Sequence, residues 1–169
     1  MDHSKLGKPS PDSTVIRAAT LDDCSGILEC LALAFAPYRD VYTPEAFLDT
    51  VLTPHSLRQR MAQMTIFVAT DASGQVLGTI ACKVIGDGRG HLRGMAVRPE
   101  CQGLGLSTRL LQKALDELHQ RGCNTITLNT TEPLQRAARF YEKNGFRRTG
   151  KIGSFFGMPL IEHSKSICY

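Results

Sequence analysis

Apolar residues in the second half of the chain recur at two spacings, one helical and one extended. Leucines and one alanine fall every three or four positions in LSTRLLQKALDELHQRG, which predicts an amphipathic helix. Apolar and polar residues alternate in NTITLNTT, which predicts a strand. A shorter helix is predicted for EPLQRAARFYEKNG, with Pro133 in its first turn and Gly145 just past its end.

The first half of the chain combines strand and helix patterns. TVIRAA predicts a first strand, and TLDDCSGILECLALAF predicts a helix with Thr20 as its N-cap. Two segments begin with Thr-Pro, the pair that suits a cap followed by a first helical residue: TPEAFLDTVL and TPHSLRQRMAQM. The remaining pattern predicts strands: TIFVATDASGQVLGTIACKVI as two strands joined by a tight turn at DASG, then HLRGMAV, FRRTGKIG and PLIEHSKSI.

The predicted order of elements is β-α-α-β-β-β-α-β-α-β-β. A meander of hairpins that feeds one crossover helix implies an α/β fold, in which a mixed sheet carries helices on its faces. A chain of 169 residues has room for one domain with a core of its own. We therefore predict a single domain over residues 14–169. Residues 1–13 are polar and hold two prolines, which predicts a mobile tail.

Composition and charge narrow the function classes. The formal net charge is +4, but the basic residues are scattered and aromatic residues are few, which weighs against nucleic-acid binding. No apolar run approaches the roughly 20 residues needed to cross a bilayer, so no membrane partner is expected. The six cysteines lie far apart without a C-x-x-C pair, which argues against a metal site or a disulfide framework. Reduced thiols of this kind predict a cytoplasmic protein.

The loop in RPECQGLGLSTRLL places two glycines just before the longest predicted helix. Leu106 and Ser107 follow the second glycine where a triphosphate-binding loop needs Lys and Ser or Thr, and Thr108 replaces the third glycine of a dinucleotide fingerprint. Two interpretations remain: a tight turn against the sheet, or an anion site built from backbone N–H groups at a helix start. A diphosphate is the most economical such ligand, with Arg98 or Arg109 as a screening charge.

Two stretches of the chain resemble the GNAT superfamily of acyl-CoA-dependent N-acyltransferases. MAVRPECQGLGLS resembles its motif A, in which Gln102, Gly105 and Ser107 fill the marked positions, although Ser107 replaces the usual Gly or Ala. RAARFYEKNGF is similar to the family's later motif. The resemblance implies a GNAT-like fold with a splayed central sheet and acetyl-CoA as acyl donor, without a metal. The cofactor-binding residues that it implies are Met95, Ala96, Val97, Gln102, Gly103, Leu104, Gly105, Leu106, Ser107, Thr108, Asn129 and Tyr141.

The resemblance also implies three catalytic roles. Tyr141 matches the family's usual acid for the leaving thiolate, against the alternative of a tyrosine that only packs in the core. The backbone N–H of Met95 is the implied donor to the carbonyl oxygen. In some relatives a histidine at the position of His91 takes the proton of the amine, although a histidine after GRG is also typical of a surface. Strand alternation puts His91 and Met95 on one face unless a bulge intervenes.

One position departs from the family pattern. Leu134 stands where many relatives carry an asparagine that contacts the pantetheine. This contact is either missing or supplied by Asn129 or Gln135. Asn129 itself either presents its amide where the strands splay or satisfies nearby backbone groups.

The function implied by these motifs is an N-acetyltransferase that moves the acetyl group of acetyl-CoA to a primary amine of a small molecule or peptide, by direct attack in a ternary complex. The alternative is a non-catalytic acyl-CoA-binding sensor or interaction module. A homodimer is left open. The first two helices and the last strand connection are expected to build the acceptor pocket, with candidates Tyr38, Tyr42, Phe155, Phe156 and Met158 and the charged residues Arg39, Asp40, Glu45 and Arg58.

Overall fold

A seven-stranded mixed sheet forms the centre of the fold in the computed structural model, which describes residues 10–168. The strands are β1 (Val15–Ala18), β2 (Thr65–Thr70), β3 (Val76–Gly86), β4 (Arg89–Val97), β5 (Thr125–Thr131), β6 (Arg147–Phe155) and β7 (Met158–Ser166). They lie in the order β1-β2-β3-β4-β5-β7-β6, and β4 and β5 form the parallel pair. The predicted mixed α/β architecture is confirmed.

Five α-helices flank the sheet: α1 (Cys24–Phe35), α2 (Pro44–Val51), α3 (Pro54–Gln63), α4 (Leu106–Gln120) and α5 (Gln135–Lys143). The apolar side of α4 packs on one face, where Leu110, Leu118 and Ile126 are fully buried. Helices α1 and α3 cover the opposite face through a second cluster around Leu31, Leu57 and Val68. The sheet is thus enclosed between two helical layers, as the hydrophobic periodicity predicts.

Three helices join β1 to β2, where the predicted order counts two. The extra boundary falls at Leu52, whose backbone is left-handed with φ 66° and therefore ends α2. Thr53 is then extended, as a residue before proline prefers, and its side chain accepts the N–H of Ser56 to cap α3. Each Thr-Pro pair therefore starts a separate helix.

Two further boundaries concern the ends of predicted segments. Helix α5 begins at Gln135, so Pro133 precedes the helix and does not lie in its first turn. Residues 1–9 of the predicted tail and residue 169 lie outside the described residues. Within the last part of that tail, Pro11–Ser13 forms a short 3-10 helix.

Strands β4 and β5 part after a short parallel stretch. Three residue pairs join them, Arg89 with Thr125, Gly90 with Ile126 and His91 with Thr127, and no later pair is formed among the described residues. Strand β4 also bulges between Arg93 and Ala96, where Gly94 has φ +65°. The splay opens the sheet at its centre, and the bulge falls at the edge of the opening.

Candidate active site

The gap between β4 and β5 is a cleft of about 570 Å³ that runs from the glycine loop to the loop after α1. Of the predicted cofactor-binding residues, those that line it are Met95, Ala96, Val97, Gln102, Gly103, Gly105, Leu106, Ser107, Thr108, Asn129 and Tyr141. Leu104 does not line it and instead packs, partly buried, against the hydrophobic cluster under α4. His91 also lines the cleft.

The glycine loop presents backbone to the cleft. Gly103 and Gly105 have φ of 82° and 80°, a region that side-chain-bearing residues rarely adopt, and a Cβ on either would meet no atom within 4 Å. Gly105 is the N-cap of α4, and no side chain caps this helix, whereas Thr43 caps α2. The first N–H groups of α4 therefore have no side-chain acceptor at the N-cap and can donate hydrogen bonds to a bound anion.

The basic residue at this end differs from those expected. Arg98 is buried, donates to the carbonyl oxygen of Val76 at 2.6 Å and pairs with Glu29, while Arg109 donates to the carbonyl oxygen of Thr14. Arg136 of α5 lines the cleft instead, and its Nη1 donates to Oε1 of Gln102 in the loop at 2.6 Å. The sequence signal for Arg136 is its helical spacing of four from Phe140, which also lines the cleft.

Tyr141 lies on α5, between the core and the cleft. Its side chain is only 7% exposed, and its ring meets Phe140 and Phe146 edge-on at centroid distances of 5.2 and 5.7 Å. Burial raises the pKa of the Tyr141 phenol well above its ordinary value of 10. The hydroxyl therefore stays protonated at neutral pH and is a permanent hydrogen-bond donor. Both sequence interpretations meet in one residue, since this ring packs in the core and also lines the cleft.

His91 is held in one orientation by its neighbour on β5. Its Nδ1 lies 2.8 Å from Oγ1 of Thr127, and that hydroxyl lies 3.4 Å from the carbonyl oxygen of Gly90. If Thr127 donates its single proton to Gly90, it must accept from His91, so we assign the proton to Nδ1 and a free lone pair to Nε2.

The surroundings of His91 also keep it uncharged. Burial first, and then the nearby charges of Arg93 and Lys83, lower the pKa of His91 below its usual value of 6.5. The imidazole is therefore neutral at neutral pH, and its Nε2 has the protonation state that a general base requires.

The bulge in β4 changes the predicted parity of the strand. One extra residue stands between Arg93 and Ala96, so strict alternation does not carry His91 and Met95 to one face. Met95 has no register partner on β3, and β4 has no partner on its β5 side beyond His91 among residues 10–168. Backbone groups of this segment are thus left to face the cleft.

Leu134 stands where the family pattern has an asparagine, and one other residue in the cleft can replace the contact of that asparagine. Leu134 and Asn129 both line the cleft, whereas Gln135 does not, because its amide donates to the carbonyl oxygen of Glu132. Of the two residues considered as replacements, Asn129 is the one whose position allows the contact.

The opposite end of the cleft is aromatic and carries unexpected charges. Tyr38, Tyr42 and Phe155 line it as predicted, and the Tyr42 hydroxyl lies 2.6 Å from Oγ1 of Thr131. Phe156, Met158 and the four predicted charged residues Arg39, Asp40, Glu45 and Arg58 do not line it. The charges that do are Asp49, Arg60 and Arg93. The sequence carries one signal for Arg60, which falls three positions after the buried Leu57 on α3.

The described residues contain no group of three or more His, Cys, Asp or Glu side chains that could hold a metal ion. Their cysteines are unpaired, and four of them are buried: Cys30, Cys82, Cys101 and Cys123. No helix in this part of the chain is both long and apolar enough to cross a membrane.

A sequence model of the Acetyltransferase (GNAT) family matches residues 28–146, which include the glycine loop, the splayed strands and Tyr141. The chain belongs to the GNAT family. The match covers both stretches on which the resemblance rests, together with the first helices that border the cleft.

Relatives and solved structures agree with this membership. The chain is 33% identical over 94 residues to N-alpha-acetyltransferase 30 of Schizosaccharomyces pombe, a match over 53% of this chain and 62% of that protein. The curated relatives it matches are covered over 52 to 62% of their own length.

Two GNAT structures show the same fold over nearly the whole chain. PaiA N-acetyltransferase of Thermoplasma acidophilum, in complex with coenzyme A, has a TM-score of 0.78 at 19% identity, covering 92% of this chain and 99% of that one. The ribosomal-protein-S18-alanine N-acetyltransferase of Escherichia coli has a TM-score of 0.73 at 20% identity, covering 92% and 95%.

The GNAT cleft of this chain fits coenzyme A by its own chemistry. A diphosphate needs N–H donors and positive charge, which the uncapped start of α4 and Arg136 supply. An extended, amide-bearing arm needs a strand edge with unpaired backbone, which β4 supplies beyond His91. The open space around Gly103 and Gly105 leaves room for phosphate oxygens close to the backbone.

Proposed function

We propose that the protein is an N-acetyltransferase that transfers the acetyl group of acetyl-CoA to a primary amine of a small molecule or peptide, by direct attack in a ternary complex. One observation carries the proposal. A single cleft joins an uncapped helix start, a neutral histidine, a buried tyrosine, and an aromatic end with room for an acceptor. Both substrates can therefore meet without a covalent enzyme intermediate.

The loop and the strand edge divide the binding of the donor between them. Backbone N–H groups from Gln102 to Ser107 bind the diphosphate, and Arg136 adds a positive charge from the α5 side. Backbone groups of Met95 and Val97 pair with the pantetheine arm as a strand edge pairs with a peptide. Acetyl-CoA, when bound, supplies a thioester whose carbonyl carbon an amine can attack.

Three groups of the chain handle charge during the transfer. Nε2 of His91 takes a proton from the amine, directly or through a water molecule. The N–H of Met95 donates a hydrogen bond to the carbonyl oxygen as negative charge develops there. Tyr141 donates a hydrogen bond to the sulfur, which leaves as the CoA thiolate when its bond to the carbonyl carbon breaks and then takes a proton from water. Because a thiol is the stronger acid, with a pKa of about 8.5, this hydrogen bond rather than full proton transfer is its main contribution.

The test is amine-dependent release of CoA. Purified protein is incubated with acetyl-CoA and a panel of small amines, amino acids and peptides with free N-termini, and the acetylated product is followed by mass spectrometry, because the protein's own thiols interfere with thiol reagents. Acetylated product from at least one class of acceptor supports the proposal. Binding of acetyl-CoA without product across the whole panel contradicts it and favours a non-catalytic acyl-CoA sensor.

The oligomeric state and the cellular location are two further proposals, and each needs its own measurement. A homodimer would appear in light scattering as twice the chain mass of 18.5 kDa. Cytoplasmic location would appear in fractionation of the source cells.

A further inference from the structure

Three charged side chains meet at the acceptor end of the cleft, one from each of three elements. Arg93 of β4 forms an ion pair with Asp49 of α2, and Nη2 of Arg60 on α3 donates to the backbone carbonyl of Asp49 at 3.4 Å. All three line the cleft, and Asp49 is the only acidic residue among the described lining residues. This end therefore holds two guanidinium groups and one carboxylate.

The carboxylate of Asp49 is already engaged, so Arg60 is the charge without a partner. No carboxylate lies within 4 Å of Arg60 among the described residues, and its one hydrogen bond is the long contact to the carbonyl of Asp49. A guanidinium has five donors, and this side chain is only 9% exposed. Burial lowers the pKa of Arg60 to about 10, with the charge of Arg93 contributing, so it stays charged at neutral pH. A buried charge without a partner is costly unless a ligand compensates it.

Arg60 also lies next to the proposed reaction centre. A Cβ built on Gly94 would stand 3.1 Å from Nη1 of Arg60, so the guanidinium lies against the bulge in β4, where the φ of +65° favours glycine. Gly94 directly precedes Met95, the proposed donor to the carbonyl oxygen, and consecutive Cα atoms are about 3.8 Å apart. Arg60 therefore lies close to the backbone of Met95, which favours an acceptor whose carboxylate is near its amino group.

We propose that the acceptor is an amine that carries a carboxylate close to the amino group, and that Arg60 binds this carboxylate through two parallel hydrogen bonds. This inference rests on the proposed acetyltransferase function and names its substrate class. A free α-amino acid has this chemistry, and so does a peptide whose first residue is Asp or Glu. Polyamines do not fit, because their second ammonium group would face two guanidinium groups with one engaged carboxylate.

The carboxylate contact also prepares the amine for reaction. The carboxylate bound by Arg60 fixes the orientation of the molecule, and the neutral Nε2 of His91 is then available for the proton that is lost.

The test measures the binding of matched amines to the protein loaded with CoA, by isothermal titration. The probes are free α-amino acids against their carboxamides, and peptides beginning with Asp or Glu against those beginning with Asn or Gln. We expect the carboxylate member of at least one pair to bind about 10- to 100-fold more tightly, the range of a charge-assisted bidentate contact. A preference within the first set of pairs identifies a free amino acid as the source of the carboxylate. A preference within the second set identifies a peptide.

Substitution separates a binding role of Arg60 from a structural one. Arg60→Gln is expected to reduce the preference for carboxylate to within about threefold and to leave CoA affinity unchanged. Arg60→Lys keeps the charge but not the two parallel donors of the guanidinium, so it should retain part of the preference. Arg58→Gln, on the exposed side of the same helix, is the control and keeps the full preference. Thermal unfolding checks that each variant is folded. If Arg60→Gln does not fold, the comparison of matched amines in the unmodified protein still tests the inference.

Several results would overturn the inference: equal affinity within every pair, tighter binding of polyamines, no binding of any carboxylate-bearing amine, or a preference that survives in Arg60→Gln. The outcome for the proposed function is read separately, from acetylated product. A carboxylate preference in binding without any product keeps Arg60 as the carboxylate site but contradicts the proposed acetyltransferase, and the bound amine is then a ligand and not an acceptor. Acetylated product without a preference for carboxylate keeps the proposed acetyltransferase and overturns the carboxylate site at Arg60.

Discussion

At the scale of single residues, Tyr141 shows how one side chain meets a packing and a chemical requirement together. Its ring is held edge-on between Phe140 and Phe146, so the direction of the hydroxyl is fixed by the core and not by a hydrogen-bonding partner. The same burial raises its pKa and removes any competing phenolate at neutral pH. A donor fixed in this way needs no reorganisation when charge develops on sulfur.

Tyr141→Phe is expected to lower kcat by about 100-fold or more, because it removes the hydrogen bond to the leaving sulfur and leaves the ring in place. The measurement is steady-state turnover together with the affinity for CoA, which we expect to be unchanged. Glu142→Gln, on the exposed side of the same helix, serves as the control. Unchanged kcat in Tyr141→Phe would remove the hydroxyl from the mechanism and leave Tyr141 as a core residue.

His91 predicts an acidic limit of activity. Its pKa is lowered in the folded protein, so the neutral base persists as pH falls to about 6.5 and becomes protonated only below that value. A plot of kcat against pH, measured at saturating amine, should therefore show an acidic limb with its midpoint below pH 6.5. In His91→Gln this limb should disappear and activity at pH 8 should fall by about 10- to 100-fold. His55→Gln, on the surface of α3, should keep the profile; an unchanged acidic limb in His91→Gln would assign the base elsewhere.

Arg136 and Arg93, whose roles in the cleft the sequence did not reveal, share one property, which is a partner far away in the chain. Arg136 reaches Gln102, and Arg93 reaches Asp49 on α2. Local pattern identifies the glycine loop and Tyr141 because their neighbours in sequence carry the signal. It cannot report a contact that exists only once α2 and α5 have packed against the sheet.

At the scale of elements, the contrast between α4 and the two Thr-capped helices α2 and α3 identifies the binding end of the cleft. Thr43 and Thr53 satisfy the first N–H groups of their own helices, and Gly105 does not. Hydrophobic periodicity predicted α4 and its buried face because that face is continuous. It did not by itself separate α2 from α3, whose starts the two Thr-Pro pairs indicated, since the break depends on the left-handed backbone of one residue, Leu52.

Gly105→Glu is expected to weaken CoA binding by at least about 30-fold, because its carboxylate would face the diphosphate at the start of α4. The matched control is Gly74→Glu in the turn between β2 and β3. Gly74 has a similar φ of 84° and equally open surroundings, so both variants carry the same backbone strain, of order 1–3 kcal/mol. Titration of CoA should therefore separate two variants of similar thermal stability, and equal CoA affinity in both would exclude the loop as the diphosphate site.

At the scale of the whole molecule, the sheet consists of two halves with a narrow connection. Strands β1 to β4 form one half and β5 to β7 the other, joined by the three β4–β5 pairs. Side chains bridge the open part at two places, Tyr42 to Thr131 at one end and Arg136 to Gln102 at the other. The order of elements predicted a mixed sheet, but the width of the opening depends on where pairing stops, which no local pattern encodes.

Coenzyme A should act as the missing connection between these halves, and hydrogen exchange can test this directly. The N–H of Arg98 donates to Leu77 on β3, so by alternation the N–H of Val97 points into the cleft, where exchange is fast without ligand. Adding CoA should slow exchange in the segment 93–98, and the β2–β3 turn at residues 71–75 serves as the internal control that stays unchanged. If CoA raises the melting temperature while exchange in 93–98 is unaltered, it binds elsewhere, and the strand edge of β4 is not the site of the pantetheine arm.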